Sequence, residues 1–284
     1  MKRISKNLQY AVAACLLTSL SFSQELSVQA SGLFNSSGNK QLNSAQTNTG
    51  LGYQFGVGYR QYFSPSWSIG TEANYSSAQY YFSNKNLTGS YQTTDSEQES
   101  FVFRYKAKQY TEKLNTKYLN IPITLQYETK GQAVRFFIKT GVLYGIAIQN
   151  ATSTSTLSQV STSGYYPQYN AEITSPAFLG FGNFNSIQSK QDIALNNRWA
   201  WVLETGVKQF FSEKQSLYIG IYADLGLNNL NNQDNNNTEQ INYTPTLQEP
   251  LQVASVLQTK SNNNYDFKNY NIGVKLQYAF DLRK

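Results

Sequence analysis

Residues 269–280 read NYNIGVKLQYAF, and every second residue is apolar: Tyr270, Ile272, Val274, Leu276, Tyr278 and Phe280. The residues between them, Asn271, Gly273, Lys275, Gln277 and Ala279, are polar or small. Successive side chains leave opposite faces of a strand, so this segment has one oily face and one polar face. Seven more segments carry the same period, at 24–34, 50–63, 67–82, about 102–128, 133–149, 197–211 and 216–228, and the last one begins near Tyr265. Their connections alternate. Three are short, at 64–66, 129–132 and 212–215, and four are long, at about 35–49, 83–101, 150–196 and 229–264. The long ones are polar and of low complexity, with TSTSTLSQVSTS in one and NNLNNQDNNNTEQ in another, and are expected to be mobile loops that bury little apolar area.

Short turns at one end and long loops at the other are what an up-and-down meander leaves behind. The direction of the oily face then decides the solvent. In a soluble barrel or sandwich that face fills the core; in a membrane barrel it meets lipid, and the polar face lines the interior. The oily set includes Leu51, Tyr53, Phe55, Val57 and Tyr59 on the second segment and Val134, Phe136, Ile138, Val142, Tyr144, Ile146 and Ile148 on the fifth. The polar set holds Glu25, Arg60, Glu72, Arg135, Lys139, Glu204, Lys208, Asp224 and Lys275, five basic and four acidic, with ten glycines from Gly52 to Gly273 among them. Glycine weakens a strand, so a solvated face has little reason to use it. A narrow lumen does, because glycine makes room for long charged side chains crossing from opposite strands, and an eight-stranded interior is just wide enough for side chains to fill. The expected fold class is therefore an all-β, eight-stranded antiparallel up-and-down transmembrane β-barrel, with short periplasmic turns, long extracellular loops and both termini periplasmic. Its interior is expected to be an ion-pair network. The alternative is a secreted soluble barrel or sandwich with the faces exchanged.

The N-terminus fits an exported chain. Lys2, Arg3 and Lys6 precede the apolar run AVAACLLTSL, and Ser21-Phe22-Ser23 offers small residues at a cleavage site, so residues 1–23 read as a secretory signal and 24–284 as one barrel domain. Loss of those three basic residues lowers the formal charge from +6 to +3. VAAC at 12–15 resembles a lipoprotein box, but apolar residues continue beyond Cys15, which argues against lipidation. Charged residues make up 14% of the chain, against about 25% in an ordinary soluble domain. The basic residues are scattered, which gives no case for nucleic acid.

Catalysis has little to work with. The chain has no histidine, and its one cysteine lies in the leader, which excludes His-based acid–base chemistry and thiol chemistry in the mature protein. Glu72 and Glu204 could form an acid–base pair; as lumen residues they more simply neutralise cations. Asp95, Glu97 and Glu99 alternate in a long connection and could offer oxygen ligands to calcium, although a solvated loop accounts for them. GVGYRQ at 56–61 has no following helix and so is no nucleotide fingerprint. No enzyme activity, cofactor or metal is expected.

KYLNIPITLQY at 117–127, then a short turn and FFIKTGVLYG at 136–145, resembles the outer-membrane β-barrel domains common in Bacteroidetes-type bacteria, the PorT-like group of OmpA-like eight-stranded barrels. NIGVKLQYAF at 271–280 resembles the signal read by the barrel-assembly machinery, through Asn271, Gly273, Leu276, Tyr278 and Phe280, although the chain runs four residues past Phe280. The resemblance implies the outer membrane as location, and outer-membrane lipid, the assembly machinery and a protein partner in the envelope as contacts. It fixes no single activity. Members range from parts of secretion machines to surface proteins, so an anchor with binding loops, a subunit of a secretion or gliding complex, and a small passive pore all stay open. Lumen charges that cross the barrel argue against the pore.

Overall fold

The computed structural model describes residues 23–38, 45–232, 239–246, 249–259 and 266–282. Of the expected leader only Ser23 is among them; Tyr265 and residues 233–238 of the Asn-rich run also lie outside the described residues. Fourteen strands are present among these residues, β1 (Gln24–Gly38), β2 (Ala45–Asn48), β3 (Gly50–Tyr62), β4 (Trp67–Thr94), β5 (Ser100–Glu128), β6 (Val134–Ala147), β7 (Ala151–Tyr166), β8 (Ala171–Ile173), β9 (Gly182–Ile193), β10 (Arg198–Ser212), β11 (Gln215–Gly226), β12 (Ile241–Tyr243), β13 (Leu251–Val253) and β14 (Lys268–Asp281). Eight of them, β1, β3, β4, β5, β6, β10, β11 and β14, correspond to the eight alternating segments.

These eight pair antiparallel in that order, and β14 returns to β1, with Phe280 opposite Leu26 and Ile272 opposite Phe34. The ring is closed. Closure matters because hydrocarbon offers no partner to a backbone N–H or C=O, so a spanning sheet can have no free edge. The faces divide as a membrane barrel requires. Leu26, Val28, Phe55, Val57, Ile123, Ile138, Ile221 and Val274 are exposed on the outside, while Glu25, Gln29, Glu72, Lys139, Glu204 and Lys275 are buried inside. On β14 the outward row from Tyr270 to Phe280 spans about 33 Å along the strand, or about 25 Å of height once strands tilt as in such barrels. Aromatic pairs mark both rims: Trp67 and Tyr127 at the turn end, with ring centroids 5.0 Å apart, and Tyr144 and Trp199 at the loop end, 4.7 Å apart.

The long connections differ from expectation. Residues 83–101 are no loop: β4 and β5 continue as one long hairpin, 28 and 29 residues per strand, closed by a turn at Asp95–Glu99. TSTSTLSQVSTS is strand too, lying in β7 between β5 and β9. Serine and threonine hold a strand here because the backbone pairs on both sides and alternate positions are buried, among them Ser153, Ser155, Leu157, Val160 and Thr162. Together β2, β4, β5, β7, β8 and β9 form a sheet that stands beyond the barrel rim.

Along β5 the polarity of the two faces exchanges. Below Tyr118 the outward residues are Leu119, Ile123, Leu125 and Tyr127, and Asn120, Thr124, Gln126 and Glu128 are buried. Above it Phe101, Phe103, Tyr105, Tyr110 and Leu114 are buried, while Arg104, Lys106 and Lys108 face out. The rows that met lipid thus give way to rows that meet water, and the inner face becomes an oily core. The β12–β13 hairpin and the turn at Val256–Gln258 cover that core with Ile241, Val253, Val256 and Leu257, and Tyr243 of β12 packs edge-on against Phe101 and tilted against Phe103. Buried Glu112 ties the cover down: it accepts from the hydroxyls of Tyr110, Ser153 and Ser255 and from the Val256 N–H at 2.9 Å. Burial, and then Glu112 itself, push the Tyr110 hydroxyl far above the ordinary tyrosine range, so it stays a donor.

Two outcomes follow from these assignments. Ile138, 48% exposed on the outer face, becomes costly as arginine: Ile138→Arg lowers barrel stability by about 2–4 kcal/mol, read as a lower temperature for the gel-mobility shift on heating. Phe103 is 0% exposed in the upper core. Phe103→Ala costs about 3–5 kcal/mol there; limited proteolysis should cut the raised sheet sooner, while the heat-shift temperature of the barrel stays unchanged.

Candidate functional site: the charged barrel interior

The interior of the ring is filled by charged and amide side chains in tiers. At the turn end Lys208 bonds Glu25 and stands 3.4 Å from Glu128. Tyr62 and Tyr218 close that tier: Tyr62 bonds Glu128, Tyr218 donates to Glu25 at 2.7 Å, and Lys208 Nζ is 2.9 Å from the Tyr62 hydroxyl. Arg135, half-buried at the mouth, donates to Glu128 at 3.1 Å and to the Gly131 carbonyl at 2.9 Å. Mid-barrel, Lys139 reaches Glu204 at 2.9 Å and Gln277 at 2.8 Å. Lys275 joins Glu204 at 3.1 Å to Glu72 at 2.8 Å, and Asn74 and Gln29 extend that chain. At the loop end Arg198 bonds Asp224, which also accepts from Asn271 and Tyr222.

The buried lumen charges are Arg60, Lys139, Arg198, Lys208 and Lys275 against Glu25, Glu72, Glu128, Glu204 and Asp224, five of each sign. Balance is what a water-poor interior demands, since an unpaired charge there is very expensive. Strand registers set the pairs: Lys139 lies directly opposite Glu204 on the β6–β10 ladder, whereas Glu72 and Lys275 come from strands that are not neighbours and meet across the lumen. Two glycines leave space for arginine. A Cβ at Gly145 would stand 2.3 Å from Arg198 Cγ, and one at Gly70 would stand 3.0 Å from the Arg60 guanidinium carbon. Gly141 answers a different need, for its Cβ would fall 2.0 Å from the Ile123 carbonyl of the adjacent strand.

Of the nine charged residues expected inside, eight are buried and Arg135 is at the mouth. Arg60 makes no ion pair among the described residues and instead donates to Ser68 and Thr124, at 3.2 and 3.0 Å. Arg198 and Glu128 were missed, although Arg198 is in phase with the expected Glu204, and Glu128 with the polar Gln126 and Thr124 of its own strand. Of the assembly-signal residues, Asn271 and Gly273 face the lumen, and Leu276 and Phe280 face outward. Asp95 caps its turn, accepting from the N–H groups of Glu97 and Glu99, and Tyr166 and Tyr169 bond Asp95 and Glu99. Among the described residues no group of three or more His, Cys, Asp or Glu could hold a metal ion. Glu72 and Glu204 are bridged by one ammonium and sealed from solvent, which leaves neither oxygen pair open to a substrate.

A closed ring with a lipid-facing outer surface and a neutralised, filled interior defines an integral membrane β-barrel. The chain matches the family model "Outer membrane protein beta-barrel domain" over residues 18–232 and belongs to that family. A search of curated proteins gave no match. Among solved structures, Neisserial surface protein A is similar at 9% identity and a TM-score of 0.33, with 89% of this chain and 95% of that chain covered. The outer membrane protease OmpT from Escherichia coli is similar at 11% identity and a TM-score of 0.33, covering 92% and 98%. Ail, the attachment invasion locus protein of Yersinia pestis, is similar at 10% identity and a TM-score of 0.28, covering 90% and 98%.

Truncating Glu204 leaves Lys139 and Lys275 without their shared carboxylate. Glu204→Ala is expected to cost about 3–5 kcal/mol, lowering the temperature of the heat-induced mobility shift, with the larger part restored when Lys139→Met is added. A double variant no more stable than the single one would contradict the pairing.

Proposed function

We propose that this chain is a non-enzymatic integral protein of the bacterial outer membrane, whose barrel is an anchor and whose raised sheet does the work by binding at the cell surface. The observation that carries the reading is the contrast between the two halves of β5: a lumen plugged by paired charges below the rim and a separately cored sheet above it. In this reading both termini and the three short turns are periplasmic, and the raised sheet is outside. Asn271, Gly273, Leu276, Tyr278 and Phe280 would be the segment read by the assembly machinery, and the PorT-like group is the nearest description of the barrel. A second reading, a subunit of a larger envelope complex, is favoured by Tyr169 and Phe178, both 62% exposed at the far end of the sheet and of the kind that anchors protein interfaces.

The test has two arms. A cysteine placed at Thr94, at the top of β4, should react on intact cells with a membrane-impermeant maleimide, and one at Lys130, in a short turn, should react only after the outer membrane is opened. Reversed labelling would overturn the orientation. In planar bilayers the purified protein should give no steady conductance; a large, stable one would make it a pore.

A further inference from the structure

Seven cationic side chains crowd one face of the raised sheet. Lys85 on β4, Arg104, Lys106, Lys108, Lys113 and Lys117 on β5, and Lys190 on β9 all lie on the face opposite the oily core. Among the described residues two carboxylates share that face: Glu172, paired with Arg104 at 3.2 Å, and Asp192, which accepts from Thr152 at 3.3 Å. Lys85, Lys106, Lys108, Lys113, Lys117 and Lys190 have no carboxylate partner among the described residues. The mature chain as a whole reaches only about +3 if its leader is removed, so the net +5 of this face is a local concentration of charge, not an overall bias.

A second feature runs across the same face. The inward rows skip a residue at one level on four adjacent strands. Asn84 and Leu87 face in on β4, Tyr110 and Ala107 on β5, Leu157 and Val160 on β7, and Ile187 and Phe184 on β9, each pair three apart instead of two. The extra residue turns outward each time. Lys108 and Gln109 are both exposed, as are Lys85 and Asn86, and the ladders skip Asn86, Lys108, Gln159 and Asn185 at that level. Asn86 and Gln159 hold left-handed backbone, with φ of 55° and 49°, a conformation non-glycine residues seldom adopt. The result is a transverse ridge of amides and lysines, with Thr88, Ser90, Ser161 and Ser163 beside it on the neighbouring strands. The cationic groups of Arg104, Lys106 and Lys108, at two-residue steps along β5 and about 7 Å apart, with amides and hydroxyls beside them, complement a ligand that carries anionic groups at intervals and hydroxyls along its length.

We infer that this face binds a linear anionic polysaccharide, seated where the Arg104–Lys106–Lys108 row crosses the amide ridge. Height favours a polymer over a lipid headgroup: Arg104 is 13 residues beyond Lys117, about 44 Å farther along the strand, and a headgroup layer would meet only the lowest lysines. The inference rests on the surface-binding reading above, and the maleimide labelling there tests that reading separately. Cells labelled at position 94 whose protein binds no polysaccharide would sink this inference alone.

The full-length protein in detergent micelles should bind dextran sulfate and not neutral dextran, more weakly as salt rises. The triple variant Lys85→Gln, Lys106→Gln, Lys108→Gln should lose at least tenfold in affinity, while Lys130→Gln with Lys214→Gln, at the opposite end, should change it less than twofold. All variants are first checked for the parent's heat-shift temperature. Equal binding by the triple variant and the parent overturns the proposal. So does a DNA duplex bound as tightly as dextran sulfate, which would indicate charge without sugar recognition. Binding to lipid A vesicles with none to dextran sulfate would make the face a headgroup site and equally overturn it.

Discussion

A cation enclosed by a narrow barrel needs polar partners within reach, and for four of the five buried bases here the partner is a carboxylate; that pairing organises the spanning half of this protein. Among the described residues five buried bases and five buried acids lie there, the acids on β1, β4, β5, β10 and β11 and the bases on β3, β6, β10 and β14. Each observed lumen pair joins two different strands, so the tiers couple strands far apart in sequence. Lys275 on the last strand meets Glu72 on β4, and Lys208 on β10 meets Glu25 at the start of the ring. The pairs thereby cross-brace a cylinder whose wall is held by backbone hydrogen bonds. Apolar packing, the usual source of cohesion, acts in the barrel only through small buried clusters such as Leu143, Val202 and Tyr222; most of its oily surface is spent on lipid.

Above the rim the same strands obey the opposite rule. One residue of change in environment, near Tyr118, converts outward leucines into outward lysines and inward amides into inward phenylalanines. The raised sheet is in effect a second core built on the first, with Glu112 as its one buried carboxylate among the described residues, held by neutral donors instead of a cation. That difference is reasonable where four donors converge on one group, because neutral hydrogen bonds suffice to replace its hydration.

The ring was legible in the sequence because each of its strands keeps one phase for ten or more residues, as in NYNIGVKLQYAF. The raised sheet was not, for two physical reasons. Its strands invert the meaning of their alternation partway along, so the oily face of β4 and β5 does not continue in one register of solvent. Its β7 is built from serine and threonine, whose pairing partners, not whose side chains, make it a strand. The charged interior was mostly readable, since residues in phase with glycine and charge fell inside; Arg198 and Glu128 escaped because they begin and end their segments, where the pattern has a neighbour on one side only. The ridge of extra residues could be seen only once four strands were laid side by side.

The alternation has one more consequence, felt before the barrel exists. Lipid-facing side chains parcelled out at every second position leave no strand with a continuous greasy stretch of the length a helix needs to lodge in a bilayer. An unfolded polypeptide of this kind can pass a translocation channel without being arrested in the inner membrane, and acquires its affinity for hydrocarbon only when pleating gathers the scattered residues onto one side.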